Sequence, residues 1–332
     1  MVDNSGRAVG VRDVAALAGV SRQTVSRVLN EHPDVADATR ERVEKAMGEL
    51  GYRMNNAARA LGTRRSRTLG ILASDALQFG PSRSIAAIEA SARAAGYWVS
   101  AAFADADDGT SVAAAVDHLV AQGVEGILVV APHARTLRML DTMTVGVPIV
   151  TLHSAGHDAR GVGVDQAAGA RLAVGALADA GHTRIAHLAG PADWLEAESR
   201  AEGFAAELAA RGLNPLITVV GDWTARAGFE AAHALRDAGA TAVFAANDQM
   251  ALGLIGALHA AGVEVPGEIS VVGFDDLPEA AYAWPRLTTV RQDFDELARR
   301  AVAAVIAGGA AASAESIMPE LVVRDSIAVP RA

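Results

Sequence analysis

Residues 18–32 read AGVSRQTVSRVLNEH. Gly19 interrupts one helical pattern, and Ser21 stands where a hydroxyl caps the next. Val25, Val28 and Leu29 then recur at helical spacing on one face, while Arg22, Gln23 and Arg27 fall on the other. Upstream, Val11, Val14, Ala15 and Ala18, with Leu17 beside them, repeat at three and four residues. Downstream of Pro33, a pattern from about Asp37 to Leu50 puts Val43, Ala46, Met47 and Leu50 on one face and stops at Gly51. Two helices joined by a short turn containing glycine define a helix-turn-helix, with Val20 the turn residue expected to be buried.

Charge supports a separate task for this region. Residues 1–67 hold twelve Arg or Lys and eight Asp or Glu, a balance of +4. The whole chain carries −10, so the remainder carries −14. A basic head on an acidic body points to a polyanionic partner for the head alone. The stretch NNAARALGTRRSRT, residues 55–68, is polar and basic and reads as a linker. Its alanines favour helix, so it is expected to fold against a partner; Leu61 is its one large apolar side chain.

From residue 68 short apolar runs alternate with alanine-rich helical patterns. Strands are expected at 68–74, 97–103, 126–130, 147–151, 184–190, 216–220, 242–246 and 269–274. Helices are expected near 82–95, 110–121, 166–180, 198–211, 224–237 and 248–261. Such alternation means parallel sheets covered on both faces. Eight or more units imply two doubly wound subdomains with a cleft between them, and ligands bind beyond the carboxyl ends of the strands.

Several chemistries are excluded. The chain has 332 residues and no cysteine, which removes disulfides, thiolate metal sites and cysteine nucleophiles together. Its only lysine is Lys45, in the head, so no Schiff base forms in the body. There is no dinucleotide fingerprint, no phosphate loop and no nucleophile elbow. His153, His157 and Asp158 lie in a loop-like segment without further ligands, so no metal, cofactor or catalytic residue is expected. No stretch suits a signal peptide or a membrane span, and a cytoplasmic protein is expected. What remains is a set of polar and aromatic residues just after strands. Ser74, Asp75, His153, Asn247, Asp275 and Trp223, with Arg200, carry the hydrogen-bonding and stacking chemistry that suits a hydroxyl-rich ligand. Taken singly, each has an ordinary structural reading: Asn247 and Asp248 as caps of the next helix, Trp223 as core.

The motifs VRDVAALAGVSRQTVSRVLN, TRERVEKAMGELGY, NNAARAL, GDW, ANDQMALG, ISVVGFDD and LTTVRQDF occur in this order between Val11 and Phe294. Together they resemble the lactose repressor family of bacterial transcription regulators. The resemblance implies an N-terminal all-α helix-turn-helix head (residues 1–54) and a hinge helix with linker (55–67). It implies an α/β body (68–332) of two doubly wound parallel-sheet subdomains, like a periplasmic sugar-binding protein. The first subdomain would take about 68–164 and 292–320, and the second about 165–291 and 321–332.

Carried over residue by residue, the resemblance puts Arg22, Gln23, Thr24, Ser26, Arg27 and Asn30 at the major groove, where Arg suits guanine and Gln suits adenine. Asn55, Ala58 and Leu61 would enter the minor groove, Leu61 as a wedge. Ser74, Gln78, His153, Arg200, Trp223, Asn247, Asp275 and Gln292 would meet the effector. The family's namesake has a tyrosine where Arg22 stands, so the operator should differ. His153 replaces an aspartate, Gln78 and Ser84 replace apolar wall residues, and Val164 replaces an aromatic, which makes one wall more polar. The family's tetramerising leucine heptads have no counterpart, so a homodimer on palindromic double-stranded operator DNA is expected. The function implied is a repressor released from its operator by a small sugar or glycoside. A purine-dependent repressor is the alternative. A transport-type sugar-binding protein is less expected, since it would need a leader and no basic head, and a dehydrogenase would need the missing dinucleotide loop.

Overall fold

The structure is a computed structural model. It describes residues 9–29, 32–52, 65–106, 108–130, 133–154, 161–309 and 316–331, with the backbone alone at 153 and 154. The chain divides into two compact units, Met1–Ser66 and Arg67–Ala332.

The first unit holds helices α1 (Val11–Ala18), α2 (Arg22–Leu29) and α3 (Asp37–Leu50). Gly19 takes the left-handed conformation (φ 66°) that ends α1. Two residues on, the Thr24 N–H donates to Ser21 Oγ at 3.0 Å, so Ser21 caps α2. Val14, Val25, Val28, Val35, Val43 and Ala46 form the buried core, with Val20 half-buried against it. Leu17 stands outside this core, 48% exposed.

In the second unit, strands β1 (Thr68–Ala73), β2 (Trp98–Phe103), β3 (Ile127–Val130), β4 (Ile149–Ser154) and β5 (Gly161–Val164) form a parallel sheet in the order β2-β1-β3-β4-β5. Helices α4 (Phe79–Ala94) and α11 (Phe294–Ile306) cover one face, packing Ile88 and Val302 on Ile71 and Leu128. Helices α5 (Gly109–Ala121) and α6 (Ala134–Thr142) cover the other, with Leu119 and Leu140 on Leu72 and Ile127.

A second sheet repeats this plan. Strands β6 (Ile185–Ala189), β7 (Thr218–Val220), β8 (Ala242–Ala245), β9 (Ser270–Asp275) and β10 (Thr288–Arg291) run in the order β7-β6-β8-β9-β10, all parallel. Strand β11 (Glu320–Val322) adds antiparallel at the β10 edge. Helices α7 (Gln166–Asp179) and α8 (Leu195–Ala210) cover one face, and α9 (Ala225–Asp237) and α10 (Asp248–Ala260) the other. The strand order reverses between β1 and β3 and again between β6 and β8, which opens a crevice at the carboxyl ends of each sheet.

The chain passes between the lobes three times: after Val164, after Arg291, and after Ile317, which bridges Val164 in parallel. Strands β5, β10 and β11 and helices α6 and α11 are absent from the sequence-based expectation. Its strand at 147–151 begins later and extends to Ser154, and its helix at 198 begins at Leu195.

Helices α9 and α10 approach closely through Gly228 and Gly253. A Cβ on Gly253 would lie 1.8 Å from the Ala225 carbonyl oxygen, a backbone atom that cannot swing aside. Gly253→Ala should therefore push the pair apart and destabilise the body by about 1–3 kcal/mol. Calorimetry should show this as a fall in Tm of several degrees.

Candidate functional site

Four of the five non-glycine residues with left-handed backbone among the described residues lie at or just beyond strand carboxyl ends: Asp75 (φ 51°), Trp223 (72°), Asp275 (106°) and Asp276 (53°). Each such conformation costs of order 1–3 kcal/mol and persists only where the surroundings enforce it. Of these, Trp223 and Asp275 line the opening between the two lobes.

A cavity of about 650 Å³, counting its open mouth, lies there. The first lobe contributes Gln78, Phe79 and Ser84; the second contributes Trp194, Glu196, Arg200, Trp223, Asn247 and Asp275. Gln166 and Gln292 line it from two of the crossings. Most of the wall is apolar, with a few placed polar groups, as small-ligand sites are built.

Its floor is a closed ring of hydrogen bonds. Arg200 Nε donates to Gln166 Oε1 at 2.9 Å, and Gln166 Nε2 donates to Gln292 Oε1 at 2.7 Å. Gln292 Nε2 donates to Asp275 Oδ1 at 2.7 Å, and Arg200 Nη2 reaches the same oxygen at 3.5 Å. The ends fix the direction of every bond. A guanidinium only donates and a carboxylate only accepts, so each glutamine must accept on one side and donate on the other. Arg200 also donates from Nη1 to the Ala246 carbonyl, and its guanidinium lies over the Phe274 ring, 3.8 Å from the centroid. Burial lifts the Asp275 carboxyl to about 6 against the opposing pull of Arg200 and Gln292. Beneath, His187 is stacked between Phe204 and Phe244, and burial, with Arg200 nearby, lowers it to about 4, so it stays neutral.

Neighbouring Asp276 faces away from this ring. Burial, which alone would raise it, is outweighed by Arg324 at 2.6 Å and Arg291 at 2.7 Å, so its carboxyl sits below the usual range. Asp248 is buried as well, accepting from Thr289 Oγ1 at 2.6 Å and from the Leu277 N–H at 2.8 Å. Burial holds it well above the ordinary carboxylate range. Both are braces of the β9–β10 end rather than parts of the cavity wall.

The aromatic wall is Trp223 edge-to-face with Trp194, ring centres 5.3 Å apart. The Trp223 ring lies on Gly190, where a Cβ would come within 2.0 Å of it. Trp223 Nε1 and Ser74 Oγ are buried without a hydrogen-bond partner. So is Oε2 of Glu196, in the first turn of α8. Burial raises the Glu196 carboxyl to about 7, against its own backbone N–H and Arg200.

Across the lobes, His133 is buried between two carboxylates. Its Nε2 lies 2.8 Å from Asp75 Oδ2 in its own lobe, and its Nδ1 lies 3.3 Å from Asp193 Oδ2 in the other. Arg135 holds the same Asp193 oxygen at 2.9 Å. His133 and Trp194 also form an isolated antiparallel bridge.

Of the eight expected effector residues, six line one cavity: Gln78, Arg200, Trp223, Asn247, Asp275 and Gln292. Ser74 is buried but does not line it, and the His153 side chain lies outside the described residues. Asn247 is also the N-cap of α10. Its Oδ1 accepts from the Met250 N–H at 2.9 Å, and its amide donates to the Trp223 carbonyl at 3.0 Å. The capping reading therefore holds, and one N–H and one lone pair remain for a ligand. Gln166, Trp194 and Glu196 were missed. An acidic or amide residue early in a helix reads as an ordinary first-turn residue, and only lobe pairing turns these toward the cavity. In the head, Arg22, Gln23, Ser26 and Arg27 stand on the exposed face of α2, while Thr24 is half-buried with its hydroxyl 2.9 Å from Ser21 Oγ. Asn30, Asn55, Ala58 and Leu61 lie outside the described residues. No group of three or more His, Asp or Glu able to hold a metal occurs among the described residues, and no helix there is long and apolar enough to cross a membrane.

Residues 11–55 match the bacterial regulatory proteins of the lacI family, and residues 174–327 match a periplasmic binding protein-like domain. The chain is 36% identical over 298 residues to the lactose operon repressor of Escherichia coli (strain K12), covering 89% of this chain and 83% of that protein. It is 36% identical over 307 residues to the HTH-type transcriptional regulator CelR of Thermobifida fusca, covering 86% and 87%. Among solved structures, the lac repressor dimer bound to operator and the anti-inducer ONPF superposes with a TM-score of 0.88 at 33% identity, covering 97% of this chain and 100% of that one. The CelR–cellobiose complex gives 0.69 at 30% identity, covering 96% and 99%. The chain belongs to the lacI family of bacterial regulatory proteins, with the helix-turn-helix head and the two-lobed parallel α/β body of that family. None of these relatives is named for a purine, and that alternative is not carried forward.

Glu196 gives the site a measurable signature. Its folded value, about 7, lies above the ordinary glutamate range. Its contribution to stability is therefore fully present below about pH 4.5 and is lost as pH rises through about 7. Glu196→Gln removes that titration. The Tm difference between variant and parent should grow from about pH 4.5 to about pH 7 and level off above it; a pH-independent difference would refute the assignment.

Proposed function

We propose that this protein is a dimeric repressor that reads a two-fold symmetric operator with helix α2 and leaves it when a small sugar or glycoside occupies the cavity between the body lobes. The observation that carries the reading is the cavity itself. Aromatic surface, buried unpartnered polar atoms and strained strand-end residues meet between two lobes that could change their angle around a ligand. The lactose operon repressor and CelR, the latter solved with cellobiose, support a carbohydrate as the ligand class. The lac repressor dimer bound to operator supports the dimer and its DNA.

In this reading residues 1–54 are the head, 55–67 the hinge and 68–332 the body. Arg22 and Gln23 read base edges, Ser26 and Arg27 extend the contact surface, and Thr24 and Asn30 flank it. Asn55, Ala58 and Leu61 carry the hinge contact. Gln78, Arg200, Trp223, Asn247, Asp275 and Gln292 hold the effector, with His153 and Ser74 at its margin. Release requires that the effector bind the DNA-free state of the body better than the DNA-bound state, since a ligand shifts an equilibrium only by its differential affinity.

Two measurements test this. Arg22→Ala should weaken operator binding by about 1–3 kcal/mol and change the preferred base at one position of each half-site. Equal losses on operator and random DNA would show that α2 does not read sequence. Among sugars screened by thermal shift, one should raise Tm, by about 2.7 kcal/mol of stabilisation at a hundredfold excess over Kd. The same sugar should weaken operator binding in a gel-shift titration. Asp275→Asn should abolish both responses while leaving operator affinity in place. A sugar that stabilises the body yet leaves operator affinity untouched would refute the release mechanism.

A further inference from the structure

Among the described residues, the charged side chains that line the cavity are Glu196, Arg200 and Asp275. Arg200 and Asp275 answer each other through the ring, and Arg200 is further occupied by Gln166 and Ala246. That leaves one negative group over, Glu196, and its Oε2 is out of solvent with no hydrogen-bond partner. The start of α8 favours a carboxylate through the helix dipole, but exposed Glu198 in the same turn serves that end equally. A carboxylate oxygen withdrawn from water without a partner destabilises a protein, so Oε2 of this half-buried side chain at a cavity wall marks a group completed by something that enters the cavity. The described first-lobe residues opposite, Gln78, Phe79 and Ser84 among them, are uncharged and bring no cation. Trp194 and Trp223 stand on the same wall, and aromatic faces beside a carboxylate are the setting in which a desolvated ammonium is held.

We propose that the effector is a sugar carrying one positive charge, an amine-bearing carbohydrate whose ammonium pairs with Glu196 while its hydroxyls meet Asn247, Asp275 and the indole of Trp223. This rests on the carbohydrate reading above and narrows it. A neutral hydroxyl also donates to a carboxylate, but it leaves the charge uncompensated in a dry wall. An ammonium supplies the donor and the countercharge together. The charged groups facing Glu196 are Arg200, on its own helix, and Asp275, at the end of β9.

The test compares matched pairs by calorimetric titration and thermal shift on the full-length protein. The pairs are glucosamine with glucose, galactosamine with galactose, mannosamine with mannose, and the deacetylated chitin disaccharide with cellobiose. The proposal expects one amine to bind at least about tenfold tighter than its neutral partner at about pH 7.4, and to weaken operator binding. The preference should vanish in Glu196→Gln, whose native fold is checked by a single cooperative unfolding transition. It should also fall about tenfold by about pH 5.4 as Glu196 takes up a proton. Asp275 titrates in the same window but meets neutral and cationic sugars alike, so the difference within each pair isolates Glu196. A neutral sugar that binds as well as or better than its amine, with affinity unchanged in Glu196→Gln, overturns the amine assignment and leaves the carbohydrate reading standing. Binding by no member of any pair, with operator binding intact, overturns both.

Discussion

The body is organised around one buried arginine. Arg200 sits in a wall where its charge has no water, so each of its donors must find an acceptor of the protein's own. Its acceptors come from three places, the first turn of α7, the end of β8 and the end of β9, while Gln292, in the connection leaving β10, closes the ring by accepting from Gln166 and donating to Asp275. Gln166 and Gln292 lie where the chain crosses between lobes. The same hydrogen bonds therefore hold a charge in place and tie two crossings to the cavity floor. A ligand atom that alters one bond of the ring acts on a shared network rather than on an isolated side chain.

The fold explains why the site lies there. Each lobe reverses its strand order between its first and third strands, and each reversal opens a crevice at the carboxyl ends. Facing the two crevices toward each other makes one chamber from two halves. Asp75 and His133 come from the first lobe, and Asp193 and Trp194 from the second, so their contact measures the separation of the lobes. The left-handed residues at the strand ends are kept in strained conformations by this frame. Braces such as Asp248 against Thr289 and Leu277, or Asp276 between Arg291 and Arg324, hold the loops that carry them.

The cavity is also where local stability is given up. Trp223 Nε1 and Glu196 Oε2, in its wall, are withdrawn from water without compensation. Farther from it, some buried polar groups are fully met: His182 meets Thr241, Ser270 and Ala328, and Ser326 meets Val271 and Thr288. An indole N–H and a carboxylate oxygen left unpartnered in the wall of an open chamber are groups that a bound ligand can complete.

The sequence by itself determined the head almost completely. Gly19, Ser21, the valine spacing and Gly51 act within a few residues of themselves, so periodicity and caps suffice to place three helices. It determined the alternation of the body too, and hence two doubly wound lobes. It missed β5, whose GVGV is too short and glycine-rich to announce a strand, and it missed β10, β11 and α11, which take their places only because the chain returns across the cleft. Motif resemblance supplied Arg200, Trp223, Asn247, Asp275 and Gln292, but not what they do to one another. Ser74, at a strand end, proved buried rather than cavity-facing. That Asn247 is both cap and wall, that Gln166 closes the ring, and that Glu196 Oε2 is left without a partner were decided by tertiary structure alone. Each depends on which groups arrive from residues far away in sequence, and hydrogen-bond completion in a buried site is a property of the assembled neighbours, not of the residue that needs them.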